Sequence, residues 1–432
     1  MENNFFKKNQ LTLRGIMVGF IILVLMIPMA NISSLVQERQ NRQTEVSQEV
    51  SNKWASNQTI NGPVLIIPYI ELSLDQKNTF RKLAYFLPSD LNAAVLVTPQ
   101  TRHRSIFDIV VYQSKVIVTG KFDSLNISTL NIPTTAILWN EAFICLGLTD
   151  FRGLEDQINI IWDTQQYTFE VGAPMNDFIP NGLKVNIPYH SLTSSQHSFS
   201  LELGLRGSQN LSFVPTGKTT KVHMESSWPD PSFTGAFLPT DQAQITEQGF
   251  IADWKILDLN RNFPQSFKDT KYEVHAADFG VNFLKGSDHY SKTTRSVKYA
   301  LLFIGLTLAL YYFIEILQQK EVHAFQYVLV GLALCVFYTL LLSISEYLNF
   351  NWAYLIAAGS IVLLVTWYTT FVFKSKKIAG TFSLVLTLLY GFIFILIQLQ
   401  DWALLIGSVG LFVVLAAVMY FSKRINFEKA EL

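Results

Sequence analysis

Charge is scarce in this chain: only 15% of its 432 residues are Asp, Glu, Lys or Arg, against 50% that are hydrophobic. The 33 basic and 33 acidic side chains cancel, so the broad electrostatic attraction used by nucleic-acid-binding proteins is missing and no nucleic-acid partner is expected. Cysteine is rarer still. Cys145 and Cys335 cannot supply a disulfide framework, and each reads as a small buried hydrophobe. HExxH, CxxC, GxSxG, SxxK and GxGxxG are all absent. Gly217-Lys218-Thr219 has the tail of a phosphate-binding loop, but Ser212 stands where its first glycine belongs, so the tripeptide reads as a hairpin turn. His223 and Glu225 have the HxE spacing of a zinc deaminase without its PCxxC partner, and His190 with His197 has no recognised ligand spacing. Asp150, Arg152 and Gly153 read as an ion pair bracing a turn. The expectation is a non-enzymatic protein: no catalytic residue, no cofactor, no metal.

What the chain does have is long apolar runs, with Glu315 the one formal charge inside them. A hydrocarbon core about 30 Å thick needs roughly 20 apolar helical residues, because unpaired backbone amides cannot be left in lipid. Segments 15–36, 299–317, 324–345, 347–373, 378–400 and 402–421 meet that need. They predict a membrane protein of six transmembrane helices, one N-terminal and five C-terminal, with the lipid bilayer as its first partner. Residues 1–14 and 422–432 flank the set, and residues 37–298 form a large insertion after the first helix. Lys7, Lys8 and Arg14, then Lys374, Lys376 and Lys377, then Lys423, Arg424 and Lys429 all fall on one side of this scheme. By the positive-inside rule that side is the cytoplasm, which puts both termini there and residues 37–298 in the periplasm, with Glu346 and Asp401 in the external turns. Lys320 against Glu321 leaves the loop after the second span neutral. Lys292, Arg295 and Lys298 would lie outside and oppose the rule, but they end a long domain that translocates largely regardless of charge. The first span reads as an uncleaved anchor: its apolar run is longer than a signal-peptide core, and Ile27-Pro28-Met29-Ala30-Asn31 is a poor cleavage site.

The insertion reads as mainly antiparallel β, one large or two smaller domains. Phe199, Leu201, Leu203 and Leu205 alternate with polar residues or glycine, the period of a half-buried strand. Turn residues at 207–210 and 215–218 then predict a meander of three strands through Met224. Further strands are expected at 64–70, 109–119, 158–171 and 183–187. Glu38 to Trp54 lacks Gly and Pro and should extend the first helix as a stalk. In the membrane the ionisable candidates are Glu315, His323 and Glu346. Glu315 lies near a span end, where it can lean toward the headgroups; the three lie at helix ends on opposite sides and cannot form a relay alone. Gly331 and Ala357-Ala358-Gly359-Ser360 are expected to let the third and fourth spans approach closely.

The segment Ser226-Ser227-Trp228-Pro229-Asp230-Pro231-Ser232-Phe233, followed by Gly235-Ala236-Phe237-Leu238-Pro239, resembles the WPxPSFxGxFLP signature of the CreD family of cell-envelope integrity inner-membrane proteins. Phe250 to Trp254 with Leu259, Arg261, Pro264 and Gln265, then Asp278 to Val281, Arg295 to Tyr299 and Gln326 to Leu334, resemble later blocks of that family. Arg102 to Tyr112 is a looser match, with Ser105 where the family suggests glycine. The resemblance implies a multi-pass protein of the bacterial inner membrane with a periplasmic domain, linked to envelope integrity and tolerance of envelope stress, with no established chemistry. Within the signature, Pro229 and Pro231 fix φ and remove two donors, while Trp228, Phe233 and Phe237 supply apolar anchors. The block reads either as a rigid plug of the β core or as a recognition loop for an unknown periplasmic or envelope partner. Two functions stay open: a non-enzymatic protein that maintains the envelope or responds to its stress, and a proton-coupled transporter or flippase-like protein using Glu315 or Glu346.

Overall fold

The computed structural model describes residues 10–72, 78–125, 127–173, 178–188, 192, 196–268, 272–283, 289–399 and 402–422. Lys7, Lys8, His190, Asp401, Lys423, Arg424 and Lys429 lie outside them. The chain forms two compact units, residues 45–286 and residues 1–44 with 287–432.

The second of these is helical. Helix α1 (Gln10–Trp54) is followed, after the insertion, by α2 (His289–Lys298), α3 (Ala300–Gln318), α4 (Ala324–Ser345), α5 (Phe350–Phe373), α6 (Lys376–Gln398) and α7 (Ala403–Ser422). Among the described residues, α1 and α3 to α6 are long and apolar enough to cross a membrane, and α7 adds the shorter apolar stretch Ala403–Ala416. Helix α1 buries Val18, Ile21, Leu25, Met29, Ile32 and Val36, a stripe at spacings of three and four that keeps one face on its neighbours. Gly331 makes room for that stripe: a Cβ there would stand 2.2 Å from Leu25 Cδ1. At Gly331 the close neighbour is thus α1; the third and fourth spans, α4 and α5, pack on each other as expected, with Ala357 and Ala358 of the small run buried, while a Cβ on Gly359 would meet nothing within 4 Å. Rings fill the interior of the bundle. Phe303 and Phe337 lie 4.5 and 4.8 Å from Tyr390, and Tyr311 meets Tyr327, Phe373 and Phe382 edge to face. Helix α2 is amphipathic. Tyr290, Thr293 and Ser296 are buried, while Lys292, Arg295 and Lys298 repeat at i, i+3 and i+6 on the other side. The expected limits 37–298 place this helix with the insertion, whereas its contacts group it with the bundle.

Among its described residues the other unit holds seventeen strands: β1 (Gln58–Leu72), β2 (Thr79–Phe86), β3 (Asp90–Arg104), β4 (Phe107–Asp123), β5 (Phe143–Leu148), β6 (Asn159–Trp162), β7 (Gln165–Thr168), β8 (Glu170–Val171), β9 (Gly182–Asn186), β10 (Gln196–Ser208), β11 (Asn210–Val214), β12 (Thr219–Ser226), β13 (Ser232–Gly235), β14 (Gln244–Thr246), β15 (Gly249–Leu257), β16 (Ser266–Phe267) and β17 (Phe279–Asn282). They form two sheets. The first runs β13-β17-β11-β1-β5-β9-β8, with β2 also on β1 and β16 on β2; the second runs β14-β15-β12-β3-β4-β10-β6-β7. Pairing is antiparallel except between β1 and β11 and between β3 and β12. One apolar core draws on both sheets, and a second, around Val64, Tyr85, Phe178 and Phe267, draws on the first sheet and its loops. The first sheet is thus buried on both faces. The second keeps one face in solvent, which is why β12 alternates buried Val222 and Met224 with exposed Lys221, His223 and Glu225.

The expected meander does not form. Successive strands β10, β11 and β12 fall in the second, first and second sheets, and none of them pairs with the next. The turn residues mark where the chain reverses, and Gln209 indeed has φ of 62°, but they do not specify which sheet the next strand joins. The single strand expected over 158–171 is three short ones, broken at Asp163 with φ of 55°. Ser105 has φ of 58° in the tight β3–β4 turn, a conformation that favours glycine.

Candidate functional site

The Trp-Pro block is a crossover between the sheets. It leaves β12 in the second sheet, becomes β13 at the edge of the first, and returns to β14 at the edge of the second. The Trp228 backbone N–H donates to Ser226 Oγ at 3.3 Å and its indole Nε1 to the Asp230 carbonyl at 2.9 Å, closing a tight loop around Pro229 and Pro231. Phe233 then packs edge to face on Phe250 and Trp254, at 5.9 and 5.8 Å, and Phe237 on Phe279 at 6.3 Å. Gly235 has φ of 92°, and a Cβ there would lie 2.2 Å from the Asp278 carbonyl oxygen, which accepts from Ala236 N. Both demands exclude a side chain. The block is only partly sealed. Trp228, Phe233 and Phe237 are half-buried, Pro229 is exposed, and Leu238 is 72% exposed. Beyond it, Arg261 is buried over the Phe263 ring and donates to the carbonyls of Phe263 and Thr216 and to Gln265 Oε1. Burial pushes its pKa down to about 10.

A polar joint sits where α1 ends. Arg152 donates from Nε to Asp150 Oδ1 at 2.9 Å and from Nη1 to the Asn52 carbonyl, and Asp150 Oδ2 accepts from Ser56 N at 2.9 Å. The Arg152 guanidinium and these backbone donors hold the Asp150 carboxyl well below the usual carboxylate range. Gln58 donates to the carbonyls of Asp150 and Arg206, and a Cβ on Gly153 would collide with that amide at 2.4 Å. Trp54 lies under the guanidiniums of Arg102 and Arg206, at 4.8 and 5.0 Å. The bracing pair read at Asp150 and Arg152 is present; that it braces the last turn of α1 was not legible, because Trp54, Gln58 and Arg206 carry no motif.

In the bundle Glu315 is 4% exposed. It does not lean outward as expected. Its Oε1 accepts from Arg14 Nη1 at 2.7 Å and from Val322 N at 3.1 Å, and its Oε2 accepts from the Tyr327 hydroxyl. A carboxylate inside a bundle is tolerated when a counter-charge and donors meet it there. Arg14 also pairs with Glu321 at 2.8 Å, and Lys320 donates to the Phe373 carbonyl. His323 is exposed and caps α4: its Nδ1 accepts from Phe325 N at 3.2 Å, while its own N–H donates to Gln326 Oε1 at 3.1 Å. Glu346, past the other end of α4, accepts from the Tyr290 hydroxyl at 3.3 Å and faces Arg39 Nε at 3.7 Å. At 1.5 Å per residue α4 holds the two glutamates about 30 Å apart.

His197 is buried against Trp162 and bonded to Asp163 at 2.9 Å, and burial pushes the Cys145 thiol up to about 12. Among the described residues no three His, Cys, Asp or Glu side chains converge on a metal site.

The family model described as "Inner membrane protein CreD" matches residues 10–428. The inner membrane protein CreD of Escherichia coli (strain K12) is 30% identical over 417 residues, covering 94% of this chain and 91% of that protein.

Proposed function

The chain belongs to the CreD family of inner-membrane proteins, and from that premise we propose that it maintains envelope integrity, or responds to envelope stress, through the β unit and without catalysis. The observation that carries this reading is the half-open Trp-Pro block. A loop serving only as a plug would bury its apolar side chains, yet Leu238 is 72% exposed beside half-buried Trp228 and Phe237, on a turn fixed by two prolines. A preformed apolar patch of this kind orders little on binding, which suits recognition of an envelope partner. Leu238→Ser in the full-length protein should leave its melting within about 0.5 kcal/mol of the parent, as surface changes do, while protection against envelope stress is lost. A stable Leu238→Ser protein that still protects cells would remove the proposal.

The alternative, a proton-coupled transporter or flippase-like protein, draws support from one buried carboxylate, Glu315. Its oxygens are engaged by Arg14, Val322 and Tyr327, and Glu346 lies at the far end of α4, so the bundle is read as an anchor. In the proposed orientation both termini are cytoplasmic and the β unit periplasmic. A reporter active only in the cytoplasm should work when fused at Lys376 and be silent at Gln209; the reverse pattern overturns it.

A further inference from the structure

Helices α3, α6 and α7 leave an apolar crevice of about 290 Å³ between them. Tyr299 and Ala403 lie at its rim, and Leu306, Leu389 and Val414 at its deep end. Ala403 to Val414 is about 16 Å of helix at 1.5 Å per residue, close to the ~15 Å of hydrocarbon in one leaflet. The crevice exists because of how α7 meets α6. At Gly410 the helices touch, since a Cβ there would lie 2.2 Å from the Phe392 ring; one turn nearer the rim, a Cβ on Gly407 would meet only Leu396, at 3.8 Å.

The rim sits at headgroup level. Trp402, 62% exposed beside Ala403, has the placement of an interfacial aromatic. Tyr299 directly follows α2, whose outward side carries Lys292, Arg295 and Lys298. Lys292 is engaged over the Phe350 ring at 5.6 Å. Arg295 and Lys298 have no carboxylate partner among the described residues, and Lys298 is exposed. These are the cations that run against the positive-inside pattern. Lys298 directly precedes Tyr299 of the crevice lining, and Arg295 stands one turn earlier on α2; that placement gives them a use that topology does not.

We propose that this crevice holds an acyl chain of an anionic phospholipid whose phosphate is bound by Arg295 and Lys298. Charge complementarity selects the headgroup, and crevice depth selects a chain from the leaflet on the α2 side. Neutral lipids fill the same groove without the headgroup contact, so the site discriminates by charge.

The full-length protein, reconstituted in nanodiscs of equal phosphatidylglycerol and phosphatidylcholine, would be released and its retained lipids counted by native mass spectrometry. The parent should keep phosphatidylglycerol preferentially. Arg295→Gln with Lys298→Gln should abolish the preference, a loss of roughly fivefold per cation, equivalent to about 1 kcal/mol each. Lys376→Gln with Lys377→Gln, at the other end of the bundle, should leave it intact. Gly407→Leu should lower retention of both lipids by filling the groove. Equal preference in the parent and the Arg295/Lys298 variant overturns the proposal, as does loss in the Lys376/Lys377 variant alone. Should Gly407→Leu fail to fold, the two charge variants decide, because their side chains lie on exposed or half-exposed surface.

Discussion

In the helical unit a guanidinium on α1, Arg14, meets a carboxylate, Glu315, that is cut off from solvent; in the β unit Asp150 and Arg152 make the same chemical pair around the last turn of that helix, with the arginine side chain 56% exposed. The first pair exists because Glu315 cannot stay alone in the bundle, whereas Arg14 is partly exposed and also reaches Glu321. The desolvation cost of Glu315 is offset by Arg14, Tyr327 and a backbone amide together, so the pair fixes which helices meet rather than adding much net stability. The second pair gains from backbone donors that need an acceptor, and its value lies in hydrogen bonds rather than in charge alone. The same two groups thus specify packing in one unit and join segments in the other.

Breaking the buried pair should have the largest effect. Arg14→Met leaves Glu315 uncompensated and should cost about 3 kcal/mol, the low end of the range for an orphaned buried charge because Arg14 is partly exposed. Adding Glu315→Gln should recover most of the loss. Thermal melting of the purified full-length protein in detergent checks both, and a double variant no better than Arg14→Met would show that the pair is more than mutual neutralisation.

Asp150→Asn should come next, costing about 1.5–3 kcal/mol through hydrogen bonds to charged groups. Its pH dependence has a definite sign. The folded pKa is depressed, chiefly by the Arg152 bond, so the stabilisation is fully present above the unfolded value near 4 and is lost as pH falls through the lower folded value. The parent should therefore lose stability on acidification below about pH 4, and the Asn variant should lack that share of the loss. Identical acid profiles would detach Asp150 from the joint.

The contrast between the two pairs also shows what could be read from the chain. Asp150 and Arg152 are two residues apart, and a local brace is visible at that spacing. Arg14 and Glu315 are separated by 301 positions. Nothing in either flank names the other, so Arg14 was legible only as a topological marker. The spans were legible because hydropathy is a local property summed over some twenty residues. The strands β10, β11 and β12 were found for the same reason, while their division between sheets depends on partners such as β4, β1 and β3, far away in sequence. Gly331 was legible as a close-approach site, but that α1 fills it was not, because a small residue reports room and not who occupies it. In the Trp-Pro block the anchors were legible by residue type, but half-burial follows from the edge position of β13, which only the sheet order reveals.

The smallest effect extends the series to an exposed cluster. On the solvent face of the second sheet His223 Nδ1 lies 2.7 Å from Asp253 and its Nε2 3.0 Å from Glu225, with all three side chains about half exposed. Glu225 and then Asp253 raise the imidazole pKa. A raised folded pKa stabilises the protonated form, so the contribution is fully present below the unfolded value near 6.5 and disappears as pH climbs through the folded one. Solvent and salt screen such a cluster, which limits His223→Gln to about 0.2–1 kcal/mol at pH 6, falling to nothing by pH 9. Melting parent and variant at both pH values, at low and high salt, tests the sign and the size. A loss that grows from pH 6 to pH 9 would mean that neutral His223, as a hydrogen-bond partner, is the form the sheet uses, and would take this cluster out of the charge series that Arg14 begins.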